Sequence, residues 1–248
     1  MIIKMDKIQN ASQIIELLYA GAEYLQSCGV SESRMEADIL LAHILGLSRD
    51  TLYLEHTLKV SEQNKARYID LLTRRGSRVP LAYLLNGKEF MGLEFYVDRR
   101  VLIPRPETEI LAERVLEIRK NTCNAENICI TDNNNNVSNN INDINILDLC
   151  TGSGALAVSI AYYWPEAKVV AVDVSRDALD VADYNASRMK VKVNFRQGDL
   201  FQPVVGQKFY IIVSNPPYIS EIEYIQCSPE VKKEPSLALL GGEDGLEF

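Results

Sequence analysis

The sequence predicts an α/β protein in which a doubly wound parallel sheet follows a small helical bundle and a β-hairpin linker. Apolar residues recur at helical spacing over residues 11–75, whereas residues 88–104 alternate and are rich in Phe, Tyr and Val. From Asn145 onward, strand and helix patterns alternate, which is typical of a parallel sheet. The 248 residues suffice for one large domain or two smaller ones.

The helical bundle is predicted to occupy residues 1–83. Three segments have amphipathic helical spacing, and each has a serine near its start, where a capping side chain is preferred. The segments and their serines are residues 11–30 with Ser12, 31–46 with Ser31, and 61–77 with Ser61. Gly46 is expected to end the second helix.

Three different patterns follow the bundle. Residues 84–104 are predicted to form the β-hairpin linker, with Gly92 near the middle of the alternating run. The second domain, residues 105–248, begins with the helical segment RPETEILAERVLEIRK, whose early acids suit the helix dipole. Residues 121–144 are rich in Asn and bury too little apolar surface to offset their ordering entropy, so we expect a mobile surface insertion.

Four strands and two helices alternate in the remainder of the second domain. In chain order they are NILDLC, SGALAVSIAYYWP, KVVAVDVS, DALDVADYNASRM, VNFRQGD and KFYIIVSN. Ligands of open α/β sheets bind outside the carboxyl ends of the strands. The residues that follow the first three strands are therefore the first candidates for a binding site.

A glycine-rich loop and three acids lie at those strand ends. The loop CTGSG, residues 150–154, separates the first strand from its helix and is small enough for a ligand to approach the backbone. Asp173 ends the second strand and can accept both hydroxyls of a ribose, and Asp199 follows the third strand and can accept from a purine amine. Asp148 lies inside the first strand and can reach the loop or a ligand amino group. Together they predict a site for an adenosine-containing ligand.

The stretch NPPY, residues 215–218, breaks the last apolar strand with two prolines. One interpretation is a simple turn that ends the strand. The other is a clamp for a planar NH₂ group, in which the Asn215 side-chain carbonyl and the Pro216 backbone carbonyl accept both N–H bonds. Pro216 and Pro217 lack N–H groups and stiffen the turn, and Tyr218 offers a flat face to the bound group. The neighbouring adenosine site favours the clamp.

Composition excludes several classes of protein. The net charge of −8 argues against a protein that coats duplex nucleic acid, and no apolar run predicts a membrane span or a signal peptide. Two histidines and the absence of a CxxC pair give a metal site few ligands. The cysteines are odd in number and scattered, as is typical of a reducing cytoplasm: Cys28, Cys123, Cys129, Cys150 and Cys227.

The order and spacing of these motifs resemble the S-adenosylmethionine-dependent methyltransferases, which have a Rossmann-like domain. DLCTGSG, the acid of VVAVDVS, GDLF and NPPY carry this likeness. Residues 78–109, which end in LIPRPETE, make the likeness more specific. They resemble the hairpin linker and signature of the HemK-type protein-(glutamine-N5) methyltransferases. Enzymes of that family modify class-1 peptide chain release factors. The resemblance extends over nearly the whole chain, from the helical domain to GGEDGLEF.

The resemblance implies S-adenosylmethionine as cofactor and a release factor as protein partner, with the bundle recognising the substrate. The implied cofactor-binding residues are Asp148, Cys150, Thr151, Gly152, Ser153, Gly154, Asp173, Asp199, Leu200 and Asn215. The implied glutamine-binding residues are Asn215, Pro216, Pro217 and Tyr218, of which Asn215, Pro216 and Tyr218 are catalytic. Cys150 stands where the family more often has glycine, and it suits the loop only if φ there is not positive.

Other interpretations remain open at this point. Adenine N6 and guanine N2 present a similar conjugated amine, so a nucleobase amino-methyltransferase also fits NPPY. A cofactor-binding module without turnover fits as well. The sequence predicts four strands in the sheet, whereas the resemblance implies seven, so we expect a C-terminally truncated chain. Arg105 and Glu107 of PRPETE either pair with each other or contact substrate or cofactor. No membrane or nucleic-acid partner is expected, and the oligomeric state is left open.

Overall fold

The computed structural model describes residues 2–124, 130–131, 137–138 and 144–248, so most of the predicted 121–144 insertion lies outside the described residues. The chain divides into two compact units. The first contains Met1–Asn86 and Ser228–Lys233, and the second contains Gly87–Cys227 and Glu234–Phe248. In the described ranges, no helix combines the length and apolar character needed to span a membrane.

The first unit is a helical bundle, as the sequence predicts. Its helices are α1 (Ile2–Asn10), α2 (Ile14–Ser27), α3 (Ser33–Leu45), α4 (Arg49–Leu54), α5 (Glu62–Gly76) and α6 (Leu81–Leu85). Apolar side chains that recur at helical spacing meet in one core, whose members include Leu17, Leu25, Leu40, Leu41, Tyr68 and Leu72. Burial of these side chains stabilises a set of helices that are each short on their own.

Of the predicted helix ends, the cap at Ser61 and the stop at Gly46 are confirmed, and the caps at Ser12 and Ser31 are wrong. Ser61 Oγ accepts from the Asn64 amide at 3.3 Å, and Gly46 ends α3 in the left-handed region with φ 66°. Ser12 does not cap α2, because the Glu16 carboxylate accepts from both the Ser12 and the Gln13 amides, at 2.7 and 3.0 Å, and Gln13 takes the cap position. Likewise, the cap residue of α3 is Glu32 rather than Ser31.

Residues 228–233 belong to the helical unit, although the predicted boundaries assign them to the second domain. Glu230 explains this, because it accepts from Arg75 Nη1 at 2.9 Å and from Arg78 Nη2 at 2.8 Å. Arg75 is 5% exposed and also pairs with Glu36. Burial tends to raise the pKa of Glu230, but the bonds from Arg78 and Arg75 outweigh it, so the pKa is lowered. The two hydrogen bonds of Glu230 join residues that are 155 and 152 positions apart in the sequence.

The second unit begins with a hairpin and a long helix, both as predicted. The hairpin pairs β1 (Lys88–Phe90) with β2 (Leu93–Phe95), and its two turn residues, Met91 and Gly92, have φ of 54° and 70°. Positive φ at both positions is what a two-residue type I′ turn requires. Helix α7 (Pro106–Asn124) follows and runs into the predicted insertion, where β3 (Ile130–Thr131) pairs with β4 (Val137–Ser138).

A four-stranded, all-parallel sheet forms the rest of the second unit, in the order β7-β6-β5-β8. Its elements are β5 (Asn145–Leu149), α8 (Ala155–Tyr163), β6 (Lys168–Asp173), α9 (Arg176–Met189), β7 (Val193–Gln197) and β8 (Ile211–Ser214), followed by α10 (Glu221–Gln226). The alternating strand and helix patterns therefore predicted this architecture correctly.

The sheet has a different core on each face. Ile146, Ala171 and Val213 pack with side chains of α7, α8 and α9, and Trp164 is fully buried among them. Leu147, Leu149, Val170 and Val172 face the other way, toward Val204 and Phe209. Strand β8 is an edge strand of the described sheet, and its Ile212 is 51% exposed.

The pairing of Glu230 with two arginines predicts a local effect of substitution. Glu230→Gln removes the charge that anchors residues 228–233, so we expect the amide hydrogens of Lys232 and Lys233 to exchange about tenfold faster, since one charged hydrogen bond contributes about 1.5–3 kcal/mol. Hydrogen exchange measured by mass spectrometry on the peptide that contains them provides the test. The exposed Glu55→Gln is the control, and equal exchange in both variants contradicts the anchoring role.

Candidate functional site

A cavity of about 140 Å³ lies in the second unit, outside the carboxyl ends of the sheet strands. Parallel strands in register bring their ends to one edge, here through the pairs Leu149 with Val172 and Leu149 with Ser214. The sequence-predicted residues on its wall are Asp148, Cys150, Thr151, Gly152, Ser153, Asp173, Asp199, Leu200, Asn215 and Pro217. Gly154, Pro216 and Tyr218 are not on this wall, and Tyr218 is 61% exposed.

Asp148 is a fully buried carboxylic acid on the cavity wall. Its Oδ2 accepts from the Thr151 hydroxyl at 2.6 Å and from the Ala157 amide at 3.2 Å. Its Oδ1 is buried and has no hydrogen-bond partner among the described residues. Desolvation raises the pKa of Asp148 to about 7 against the opposing effect of the two bonds. A buried oxygen without a donor is suited to a ligand group that carries N–H or positive charge.

The loop after β5 turns sharply enough that three of its five residues have positive φ. These are Cys150 at 58°, Gly152 at 55° and Gly154 at 79°. Apart from its chain neighbours, no described residue has a heavy atom within 4 Å of the position that a Cβ of Gly152 would take, so a ligand has access to its backbone. Gly154 instead faces α9, where an added Cβ would be 3.0 Å from the Ala182 Cβ. Gly154 therefore allows the loop to pack closely against α9.

Cys150 has a positive φ, the conformation that does not suit a residue with a side chain. A side chain at φ 58° is strained because the left-handed region favours glycine. Burial, followed by the charge of Asp173, raises the pKa of the Cys150 thiol to about 11, so the thiol stays neutral at physiological pH. It lies on the cavity wall as a small, uncharged side chain.

Asp173 bridges the loop and the start of α9. Its Oδ2 accepts from the Gly152 amide at 2.8 Å, and its Oδ1 accepts from the Ser175 amide at 2.9 Å. Burial raises the pKa of Asp173, and the backbone bonds only partly oppose it. Each carboxylate oxygen keeps a second lone pair for a further donor. The carboxylate is thus fixed in position and retains acceptor capacity for a diol.

Asp199 and Leu200 follow β7 on the same cavity wall. Asp199 is exposed, and its backbone carbonyl accepts from the Gln202 amide at 2.9 Å, where a short 3₁₀ turn over Gln202–Val204 begins. Leu200 has φ 43°, which directs the chain sharply after the acid. This turn leaves an acid and an apolar side chain next to each other at the cavity.

The turn after β8 is held by contacts from distant parts of the chain. The Asn215 amide donates through Nδ2 to Thr108 Oγ1 at 3.2 Å, and Ser214 Oγ donates to the Leu149 carbonyl at 3.1 Å. The backbone of Ile219 exchanges hydrogen bonds with the C-terminal tail: its amide donates to Leu239 and its carbonyl accepts from Gly241, both at 2.9 Å. The sequence predicted no strand in this tail, and the structure has only a single bridge there.

Several residues around the cavity have no counterpart in the sequence prediction. Glu234 is 5% exposed and accepts from Arg105 Nη2 at 2.6 Å and from the Ile103 amide at 3.0 Å. Arg105 therefore pairs with Glu234 and not with Glu107. The segment after Glu234 supplies Pro235, Leu237 and Ala238 to the cavity wall. No short motif signals this pairing, because its partners lie 129 residues apart.

Asn185 on α9 is a second residue that the sequence did not reveal. It is fully buried, and its Nδ2 donates to the carbonyls of Ser153 at 2.9 Å and Tyr96 at 3.0 Å. Its Oδ1 accepts from the Tyr96 amide at 2.8 Å. One side chain thus connects the cavity loop to the chain after the hairpin. Within the described ranges, no three His, Cys, Asp or Glu residues are arranged to hold a metal ion.

Two protein-family descriptions match separate parts of the chain. Residues 134–228 match the Methyltransferase small domain, and residues 16–85 match the PrmC N-terminal domain. The first range contains the strands that form the cavity, and the second covers most of the helical bundle.

Several curated relatives are similar over most of the chain. Release factor glutamine methyltransferase of Clostridium acetobutylicum is 39% identical over 86% of this chain and 70% of the relative. The proteins of the same description from Geobacter sulfurreducens and Chlorobaculum tepidum are 38% and 39% identical and are covered over 72% and 77% of their lengths. A solved RNA methyltransferase from Salinibacter ruber is 23% identical over 45% of this chain and 60% of its own, with a TM-score of 0.31, a likeness too small to support an inference.

The strained φ at Cys150 predicts an unusual order of stabilities. We expect Cys150→Gly to be about 1 kcal/mol more stable than Cys150→Ala, because a Cβ in the left-handed region costs about 1–2 kcal/mol and the flexibility of glycine when unfolded offsets part of this. Urea unfolding of the two variants measures the difference. At Ser187, in helix α9, the order is expected to reverse, with alanine more stable than glycine. The same order at both positions contradicts the strain argument.

The raised pKa of Asp148 predicts that stability depends on pH. The folded state binds the proton more tightly than the unfolded state. The carboxyl group therefore stabilises the folded state below about pH 4, and this contribution to the free energy of unfolding is lost as pH rises toward about 7. Relative to wild type, Asp148→Asn should therefore gain about 2.5 kcal/mol in unfolding free energy between pH 5 and pH 8. Urea titrations at both pH values test this, with the exposed Asp183→Asn as control. A pH-independent difference overturns the assignment.

Proposed function

The chain belongs to the release factor glutamine methyltransferase family, and we propose that it transfers a methyl group from S-adenosylmethionine to the side-chain amide nitrogen of a glutamine in a class-1 peptide chain release factor. The observation that carries this proposal is the shared cavity. Asn215 and Pro217 of the turn line the same space as the glycine loop and its acids. A donor of methyl groups and an amide nitrogen can therefore meet there.

The cavity wall fits an adenosine-containing cofactor with a positively charged amino-acid end. Asp173 has fixed oxygens with free lone pairs for the ribose hydroxyls, and Asp199 with Leu200 would flank the adenine. The Oδ1 of Asp148, which has no hydrogen-bond partner in the described part of the chain, would accept from the ammonium group, either directly or through the loop. The open space beside Gly152 Cα would allow close approach. When bound, S-adenosylmethionine supplies an electrophilic methyl group on a sulfonium.

The turn at Asn215 addresses the poor nucleophilicity of an amide nitrogen. The lone pair of that nitrogen is delocalised into its carbonyl, and in-line displacement requires it to point at the methyl carbon. Acceptors on both N–H bonds favour this geometry and stabilise the positive charge that grows on the nitrogen. We assign these acceptors to the Asn215 side-chain carbonyl and to the Pro216 backbone carbonyl. No strong base is required, because the N-methylated amide cation loses its proton readily.

The rigidity of the turn supports this role, because preorganised acceptors need no rearrangement during the reaction. Pro216 and Pro217 have fixed φ and no N–H groups. The tail adds a second restraint: a Cβ at Gly241 would be 2.8 Å from the Pro217 carbonyl, so the two backbones are in direct contact. Tyr218 is exposed enough to contact an approaching peptide.

The partner and location are part of the proposal. We infer that a release factor is the protein substrate, that the helical bundle recognises it, and that duplex nucleic acid does not bind, in keeping with the net charge of −8. We infer a cytoplasmic location from cysteine usage. In the described part of the chain Cys28, Cys150 and Cys227 are free thiols.

Tritiated methyl transfer tests the proposal directly. The enzyme is incubated with labelled S-adenosylmethionine and, in parallel, with a purified class-1 release factor, the same factor in which each candidate glutamine is changed to alanine, and double-stranded DNA. We expect label on the release factor, at least a hundredfold less on the one variant that lacks the target glutamine, and none on DNA.

Each of the other outcomes identifies a different error. Label on DNA alone would establish a nucleobase amino-methyltransferase instead. Cofactor binding by calorimetry without transfer to any acceptor would establish a binding module. Label that persists in every glutamine variant would mean that another residue type is methylated.

A further inference from the structure

We propose that Thr108 is a positioning residue that holds the Asn215 amide so that its oxygen, not its nitrogen, faces the substrate. This rests on the proposed function, since it concerns the same acceptor. The observation is a hydrogen bond of 3.2 Å from Asn215 Nδ2 to Thr108 Oγ1, with both residues on the cavity wall. No described residue donates to Asn215 Oδ1, which leaves that atom for an incoming N–H group.

The orientation of an asparagine amide is a chemical problem because its two ends have nearly the same shape. Oxygen accepts hydrogen bonds and NH₂ donates them. If Asn215 were rotated by half a turn, its NH₂ would face the NH₂ of the glutamine, and two donors would oppose each other. The desired orientation places the Asn215 protons on the side away from the substrate, where they need an acceptor. Thr108 Oγ1 provides one.

The backbone of Thr108 is itself held firmly. Thr108 lies in the first turn of α7, and its amide donates to the Arg105 carbonyl at 3.0 Å. Arg105 is paired with the buried Glu234 at 2.6 Å. In the same turn, Glu109 Oε1 accepts from the Met91 amide at 2.7 Å, which joins it to the hairpin turn. A positioning side chain works only if its own support is fixed, and here one local and two long-range contacts supply that support.

Kinetics of Thr108→Val and Thr108→Ser test the proposal. Valine keeps the shape and removes the acceptor, so we expect kcat for release-factor methylation to fall about tenfold, the size of one lost hydrogen bond at a reacting group. KM for the release factor and the dissociation constant of S-adenosylmethionine should change less than twofold. Thr108→Ser restores the acceptor and should recover at least half of the wild-type kcat. Thr57→Val, at an exposed position of the helical unit, is the matched control.

A second measurement examines the contact without turnover. In protein labelled with ¹⁵N-asparagine, the Nδ2 protons of Asn215 should be protected from exchange, with protection lost in Thr108→Val and retained in Thr108→Ser. Asn215→Ala identifies the signal.

The two tests separate the failure of this inference from that of the proposed function. Wild-type kcat in Thr108→Val, or a loss of kcat that Thr108→Ser does not recover, overturns the positioning role while the methyltransferase assignment stands. A wild-type enzyme that does not methylate the release factor overturns the proposed function, and loss of amide protection then still reports whether the contact exists. Equal protection in all three proteins overturns the contact itself.

Discussion

The parallel register of β5 between β6 and β8 is the constraint on which the site depends. Leu149 is paired with Val172 on one side and with Ser214 on the other, so the residues that follow these strands emerge at one edge. A slip of β8 by one residue would move Asn215 by about 3.3 Å and turn its side chain to the other face of the sheet. Val213 and the partly buried Ile211 oppose such a slip, because it would remove them from the core that they share with Ile146 and Ala171.

The sheet also compensates for unfavourable features at its edge. Asp148 is buried, and one of its oxygens has no hydrogen-bond partner among the residues that the structure describes, while both Cys150 and Leu200 have positive φ. Each of these lowers stability on its own, by desolvation or by backbone strain. Asp148 and Cys150 lie in or directly after β5, whose side chains are almost fully buried, so strong packing there offsets the cost. The same residues line the cavity, so these energetically unfavourable groups are the ones that a ligand can contact.

Local patterns in the sequence were enough to predict the α/β sheet, the helical bundle, the hairpin and the acids at the strand ends. Each depends on residues within a few positions of one another, as with the alternation of β5, α8 and β6. The contacts that arrange the site depend on pairs such as Thr108 with Asn215, 107 residues apart, and no local pattern encodes them. The φ of Cys150 was also beyond reach, because residue type limits a backbone angle without fixing it. For the same reason the sequence did not predict that residues 228–233 belong to the helical unit, since their placement depends on Arg75 and Arg78.

The structure changes the explanation of why the NPPY turn is rigid. Two prolines fix φ at Pro216 and Pro217, but proline leaves ψ free, so they cannot alone determine where a carbonyl points. The tail supplies the missing restraint through hydrogen bonds between Ile219 and both Leu239 and Gly241. Gly245 also lies against the turn, because a Cβ there would be 2.5 Å from the Tyr218 carbonyl. Backbone contact with the glycines of the tail therefore sets the direction of the turn. The prolines contribute by reducing the number of backbone conformations that the turn can adopt.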